Sequence, residues 1–195
     1  MIKNIRKSVF ETNSSSTHCV VIDTDINLIS SDYKNEVSDD NKIHFSTYGE
    51  YGWSNDQLTS LSDKLSYIFS CVIHSKLEYI YSIDFEDKLE EKLNNRKTQI
   101  LEIKNIFDQL NELVKVITGY EIYCEKFNNL VETITNETKN SDHIILNNDL
   151  TDGYVDHSGE KYKGIVDPLL NNQEDLKKFL FSNKSVLYTS NDNGG

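Results

Sequence analysis

The chain has one proline, Pro168, in 195 residues, and alanine is scarce. So little proline leaves room for long uninterrupted helices. Cysteine is sparse too: Cys19, Cys71 and Cys124 are odd in number and widely spaced. With no CxxC and no Cys/His pair at zinc-finger spacing, neither a disulfide frame nor a structural zinc is indicated. No GxxxxGK[ST], GxGxxG, GxSxG or SxxK is present, so nucleotide binding and serine-nucleophile chemistry lack motif support. No window approaches the ~20 apolar residues of a membrane span. The opening MIKNIRKSVF is basic but has no apolar stretch of the kind a signal peptide needs. Basic residues are also in deficit, 20 against 32 acidic, for a net charge of −12. Such a field repels phosphate backbones, which disfavours direct nucleic-acid binding. It serves solubility, or it suits a basic protein partner. What is present suffices for a core: 37% hydrophobic residues, with 11 Tyr and 8 Phe. That argues for one folded domain over 1–195.

The run THCVVID (17–23) predicts a first strand, with Cys19–Ile22 apolar on both faces. KIHFSTY (42–48) alternates as a second strand, and GEYGW (49–53) predicts a turn exposing Glu50, Tyr51 and Trp53. From Ser54 the period becomes helical, through Leu58, Leu61, Leu65, Ile68, Phe69, Val72, Ile73, Leu77 and Ile80, with Ser54, Asn55 or Asp56 as N-cap. A second helix is predicted over 85–117, with a bend or break where the apolar stripe lapses at Arg96 and a stop at Gly119. YEIYCEKF (120–127) and DHIIL (142–146) read as strands, as does the centre of DGYVDHSGE (152–160). NNQEDLKKFLF (171–181) reads as an Asn-capped helix, and KSVLYTS (184–190) as a final strand. The expected architecture is α+β: a small, mostly antiparallel sheet with a long helical hairpin inserted over 56–118.

Three polar blocks sit at the ends of predicted strands: FETNSSSTH (10–18), YVDHS (154–158) and TSNDN (189–193). Rigid strand ends present reactive groups. If these strands are neighbours, His18, Asp156, His157 and Asp192 can converge for acid–base work, with His as proton shuttle and Asp as orienter. Two His and two Asp are also a divalent-metal donor set. Asp156 and His157, however, alternate to opposite faces of a strand, so no metal or other cofactor is expected. Candidate binding residues are Asn13, Ser14, Ser16, Asn191 and Asn193 in the polar blocks, and Glu50, Tyr51 and Trp53 in the turn. The bland alternatives stand beside these. Asn13 to Ser16 fit an Asx/Ser turn, His18 fits a partly buried histidine bonded to a backbone carbonyl, and Trp53 fits a cap on the core. His44 is expected to face solvent, His74 to ride the first helix and His143 to lie in a loop, the last two without an evident partner.

IRKSVFETNSSSTHCVVI, with YGEYGW, YVDHS and FLFSNKSVLYTSNDN following in order, resembles a group of poorly characterised proteins encoded by phages and mobile elements of low-GC Gram-positive bacteria. The resemblance covers about half of the chain, both ends and the middle turn. The third block here reads DHSGE where the family pattern has DH followed by a Gln-Ser type pair, so no role carries over to Ser158. The resemblance implies no reaction. It implies a phage or prophage accessory protein in the cytoplasm of a bacterial host. With the −12 charge, the expectation is protein binding, as an anti-CRISPR-like inhibitor of a basic nucleic-acid-binding defence effector, with the helical hairpin as a partner-binding arm. The alternative expectation is a small hydrolase or transferase acting on a nucleotide-like substrate through the His/Asp/Ser blocks.

Overall fold

Apolar and β-branched residues at Cys19–Ile22 form the middle of a strand that the rest of the sheet is built around. The computed structural model describes residues 5–11, 16–23, 30–52, 56–77, 89–136, 141–147, 150, 153–155 and 158–191. Strand β2 (Ser16–Ile22) pairs antiparallel with β1 (Ile5–Glu11), which carries a bulge between Lys7 and Val9, and with β8 (Val186–Asn191). On the other side of β8 lies β5 (Asp56–Leu58), giving the order β1-β2-β8-β5. Two short parallel pairs flank this sheet: β3 (Lys42–His44) with β6 (Glu121–Tyr123), and β4 (Glu50–Tyr51) with β7 (Tyr154–Val155). The fold is α+β, a small antiparallel sheet together with long helices.

Helix α1 (Leu61–Lys76) is the centre of the core, not an arm. Every residue from Lys64 to Ile73 is buried, as expected of a helix enclosed on all sides. It packs against α2 (Leu89–Thr118), α7 (Gln173–Phe181) and the helical segment Ser158–Leu170. Helix α2 is ~45 Å long at 1.5 Å per residue. It runs without a break past Arg96, and Ile100, Ile103, Phe107, Leu110 and Val114 form its buried stripe. Phe45, Phe69, Phe107 and Phe127 make an aromatic cluster with ring centroids 4.9 to 6.2 Å apart.

Local chemistry explains most element ends. Ser60 Oγ accepts the Asp63 N–H, and Glu36, from the 3-10 turn Asp32–Glu36, accepts the Leu61 and Ser62 N–H groups at 2.9 and 2.6 Å. These satisfy donors that a helix start leaves open. Helix α1 thus begins at Leu61 and Asp56 does not cap it, because Asp56–Leu58 is recruited as a strand by β8; Ser54 and Asn55 lie outside the described residues. Gly119 ends α2 at φ +83°, donating its N–H to the Lys115 carbonyl. Only Glu121–Tyr123 of the expected 120–127 strand is extended, because Cys124 starts a new helix, α3 (Glu125–Asn136): its backbone N–H is held by Asn128 Oδ1. DHIIL belongs to helix α4 (Ser141–Asn147), so His143 is helical. Asn172 caps α7 as anticipated, its side chain accepting the Asp175 N–H.

The segment from Ser158 joins α5 (Ser158–Lys161) to α6 (Asp167–Leu170) through a π-turn, Tyr162–Val166. Asp167 N–H reaches back to the Tyr162 carbonyl, and Pro168, with no N–H, cannot supply the next helical bond. A separate polar lock ties the end of β2 and the start of α1 to the link between α7 and β8. Lys64 Nζ donates to the Ser182 carbonyl at 2.9 Å, Ser182 Oγ donates to Asp23 at 2.9 Å, and Asp23 N–H donates to Ser185 Oγ at 2.8 Å.

Candidate functional site

Period-two alternation turns Ser16, His18, Val20 and Ile22 of β2 inward, and all four are buried. Register sets their neighbours: Ser16 opposite Asn191, and His18 opposite Thr189, which is itself opposite Asp56. Directly opposite residues share a face. The first and third polar blocks therefore meet on one side of the sheet, above the apolar layer of Val20, Leu187 and Leu58.

Against this layer α1 presents Tyr67. His18 Nδ1 lies 3.0 Å from the Tyr67 hydroxyl, and the two rings are 5.6 Å apart. The same hydroxyl is hydrogen-bonded to the Cys71 thiol one turn on. Tyr51 stacks edge-on against Tyr67 at 5.2 Å and bonds Ser66. Lys161, on α5 immediately after the YVDHS block, is fully buried and donates from Nζ to the Ser16 carbonyl at 3.3 Å. His18, Tyr67, Cys71 and Lys161 each have 0% exposure.

Burial controls the electrostatics. It raises the Tyr67 hydroxyl well above its ordinary value, reinforced by Cys71 and Tyr51. It pushes the Cys71 thiol up to about 12, although the Tyr67 hydrogen bond and the Lys161 charge pull the other way. Tyr51 is raised by burial first and by the Asp63 charge second. Phenols and thiol are thus neutral hydrogen-bonding groups at neutral pH, and Cys71 is no nucleophile. The cluster forms a hydrogen-bonded run His18–Tyr67–Cys71. These four side chains present no face to solvent.

Of the residues singled out from sequence, His18 and Tyr51 meet at Tyr67, while Ser16 lies beside the backbone of Asn191 and holds Lys161 through its carbonyl. Two expectations are corrected. Tyr51 is not exposed: it is 6% accessible, because the glycines either side let it fold inward, with Gly52 at φ +104° and Gly49 against the Tyr51 ring. His18 is not partly buried but fully enclosed, and it bonds a tyrosine hydroxyl. Ser16, offered as a binding residue, is 1% accessible. Glu50 is exposed. Asn13, Ser14, Trp53, Asp156, His157, Asp192 and Asn193 lie outside the described residues. His44 faces solvent as expected and bonds Asp40 at 2.9 Å, which lowers the Asp40 carboxyl. His74 does have a partner, the Gly153 carbonyl at 3.2 Å.

Sequence reasoning passes over Tyr67, Cys71 and Lys161. A usable signal exists on α1: Tyr67, Ser70, Cys71 and His74, spaced three and four apart, mark a polar seam on a helix that is otherwise core. Lys161 offers none, since SGEKYKG looks like a surface turn. The open cleft of about 350 Å³ between His44–Tyr48, the first turns of α1 and the start of α3 contains none of the predicted site residues. Among the described residues no group of three or more His, Cys, Asp and Glu is placed to hold a metal, and no helix is long and apolar enough to cross a membrane. No protein-family profile, curated protein or solved structure matches the chain.

Proposed function

We propose that the chain acts by protein binding: a phage or prophage accessory protein that works in the host cytoplasm, as an anti-CRISPR-like inhibitor of a basic, nucleic-acid-binding defence effector. The observation that carries this reading is where the reactive groups sit. His18, Tyr67, Cys71 and Lys161 are sealed inside, where they tie β2 to α1 and α5, while the net charge of −12 is available for a cationic partner. The phage-like signature blocks support the biological setting. Affinity capture from host lysate is expected to return a basic nucleic-acid-binding protein, released by rising salt. Capture of no specific partner, together with unchanged plaque formation on hosts that carry defence systems, overturns the proposal.

A second reading, a small hydrolase or transferase on a nucleotide-like substrate, is favoured by one observation. Ser16 stands opposite Asn191, and Lys161, from the helix after YVDHS, reaches the Ser16 carbonyl. His157→Ala and Asp192→Ala discriminate the two. Folded variants with an intact phenotype eliminate the enzyme reading; folded variants that lose the phenotype but still capture the partner favour it.

A further inference from the structure

Val116 is 73% exposed near the end of α2, more than the other large hydrophobic side chains exposed among the described residues. It borders a groove of about 350 Å³ formed by Gln109, Leu110, Glu112, Leu113 and Val116 of α2 with Leu170, Gln173 and Leu176 of α6 and α7. On α2 these positions recur at three- and four-residue spacing, one helix face. Five of the eight lining residues are aliphatic, and the only charged one is Glu112. Glu174, exposed, follows Gln173 in the first turn of α7, while Asp175 lines a separate pocket beside Val20 and Pro168. Lys115, the adjacent lysine on α2, is paired with Glu121 at 2.7 Å. The result is an apolar trough whose one charged lining side chain, Glu112, is acidic.

We infer that this groove docks an amphipathic helix carrying lysines or arginines along the edges of its apolar stripe, contributed by the basic partner. Helix-in-groove recognition seats apolar residues spaced three and four apart in such a trough, and flanking charge selects the ligand. A second copy of this chain is disfavoured as occupant, because each copy brings a net charge of −12. The inference rests on the reading of the chain as an acidic binding protein and names the surface it uses.

The test takes the full chain and two synthetic probes: a helical Leu/Lys peptide with leucines at i, i+3, i+4 and i+7, and a scrambled peptide of the same composition. Val116→Lys is compared with Leu101→Lys, the same change at another exposed position of α2 (50% accessible), ~22 Å away at 1.5 Å per residue. The striped peptide is expected to bind wild type and Leu101→Lys alike, with binding to Val116→Lys weaker by about tenfold or more. The scrambled peptide is expected to bind weakly to all three. Equal losses in both variants mean charge attraction alone and overturn the groove, as does equal binding of the two peptides. Sedimentation showing a dimer that Val116→Lys dissociates makes a second copy the occupant and also overturns it. In parallel lysate captures, a partner retained equally by wild type and Val116→Lys sinks the groove while the binding-protein reading stands. No partner from either chain sinks that reading.

Discussion

Tyr67 holds together segments that are far apart in sequence: its ring meets His18 and Tyr51, and its hydroxyl serves both His18 and Cys71. Tyr67→Phe keeps the packing and removes the hydroxyl, leaving an imidazole nitrogen and a thiol to lose a buried bond. The expected cost is about 1–3 kcal/mol, read as a lower urea midpoint with an unchanged slope. A His18/Tyr67 double-mutant cycle is expected to show coupling of about 0.5–3 kcal/mol; additive losses would mean the bond contributes nothing. The thiols give a second test. Cys71 and Cys124 are buried, and burial lifts Cys71 to about 12 and Cys124 to about 11. Iodoacetamide near neutral pH is therefore expected to leave Cys71 and Cys124 unmodified until urea unfolds the chain, since the thiolate is the reactive form. At this scale the sequence discloses a residue only when its type conflicts with its surroundings. His18 beside an apolar run and Ser16 in a hydroxyl cluster stand out. Tyr67 reads as one more core residue within KLSYIFSCVI, and Lys161 as a solvated lysine, because burial of a charged group depends on partners from other segments.

Elements end where a local group can satisfy the backbone or where a distant strand claims it, and the two cases separate in mutagenesis. Gly119 sits at φ +83° with open space where a Cβ would stand, so Gly119→Ala carries only the left-handed backbone penalty, about 1–2 kcal/mol. Gly153 is different: its N–H bonds the Thr47 carbonyl, and an added Cβ would collide with the backbone at Thr47 to Gly49. Gly153→Ala is expected to destabilise more than Gly119→Ala in parallel thermal melts, since backbone must move. Equal losses would show that this close approach is not tight. Locally encoded features are readable in the sequence: the Gly119 stop, the Asn172 cap, and strand β2 from its apolar run. Asp56–Leu58 is not, because its strand conformation comes from pairing with β8, and neither is the helical state of 141–147, where a short apolar run fits strand and helix equally.

The whole molecule's response to alkali follows from its buried groups. Cys71 and Cys124 move up from 9.0 to about 12 and about 11, and Tyr51 and Tyr67 move up from 10.0. The folded state keeps these protons longer than the unfolded chain does. Their contribution is complete below pH ~9 and is lost as pH rises through the thiol window toward ~12. Lys64 acts oppositely: burial lowers it from 10.5 to about 8, against the pull of Glu36 and Asp63, so it adds stability as pH rises between those values. Among the described residues, several raised groups, Tyr162 included, oppose Lys64. Tm is expected to hold or rise slightly from about pH 8 to 9 and then fall, and Lys64→Met is expected to remove the early rise. A wild-type Tm still climbing near pH 11 would contradict the assignment. The α+β class is legible from the succession of periods; the sheet order is not, because β8 slots between β2 and β5, joining residues such as Ser16 and Asn191. That order has a consequence for biosynthesis. While the ribosome is still making the middle of the chain, β2 and β5 have no strand between them, and both wait with open edges until Val186–Asn191 emerges. Helices with local contacts can form early, but sheet closure has to wait for β8. A nascent chain stalled before Val186 is left as an unfinished sheet with adhesive edges.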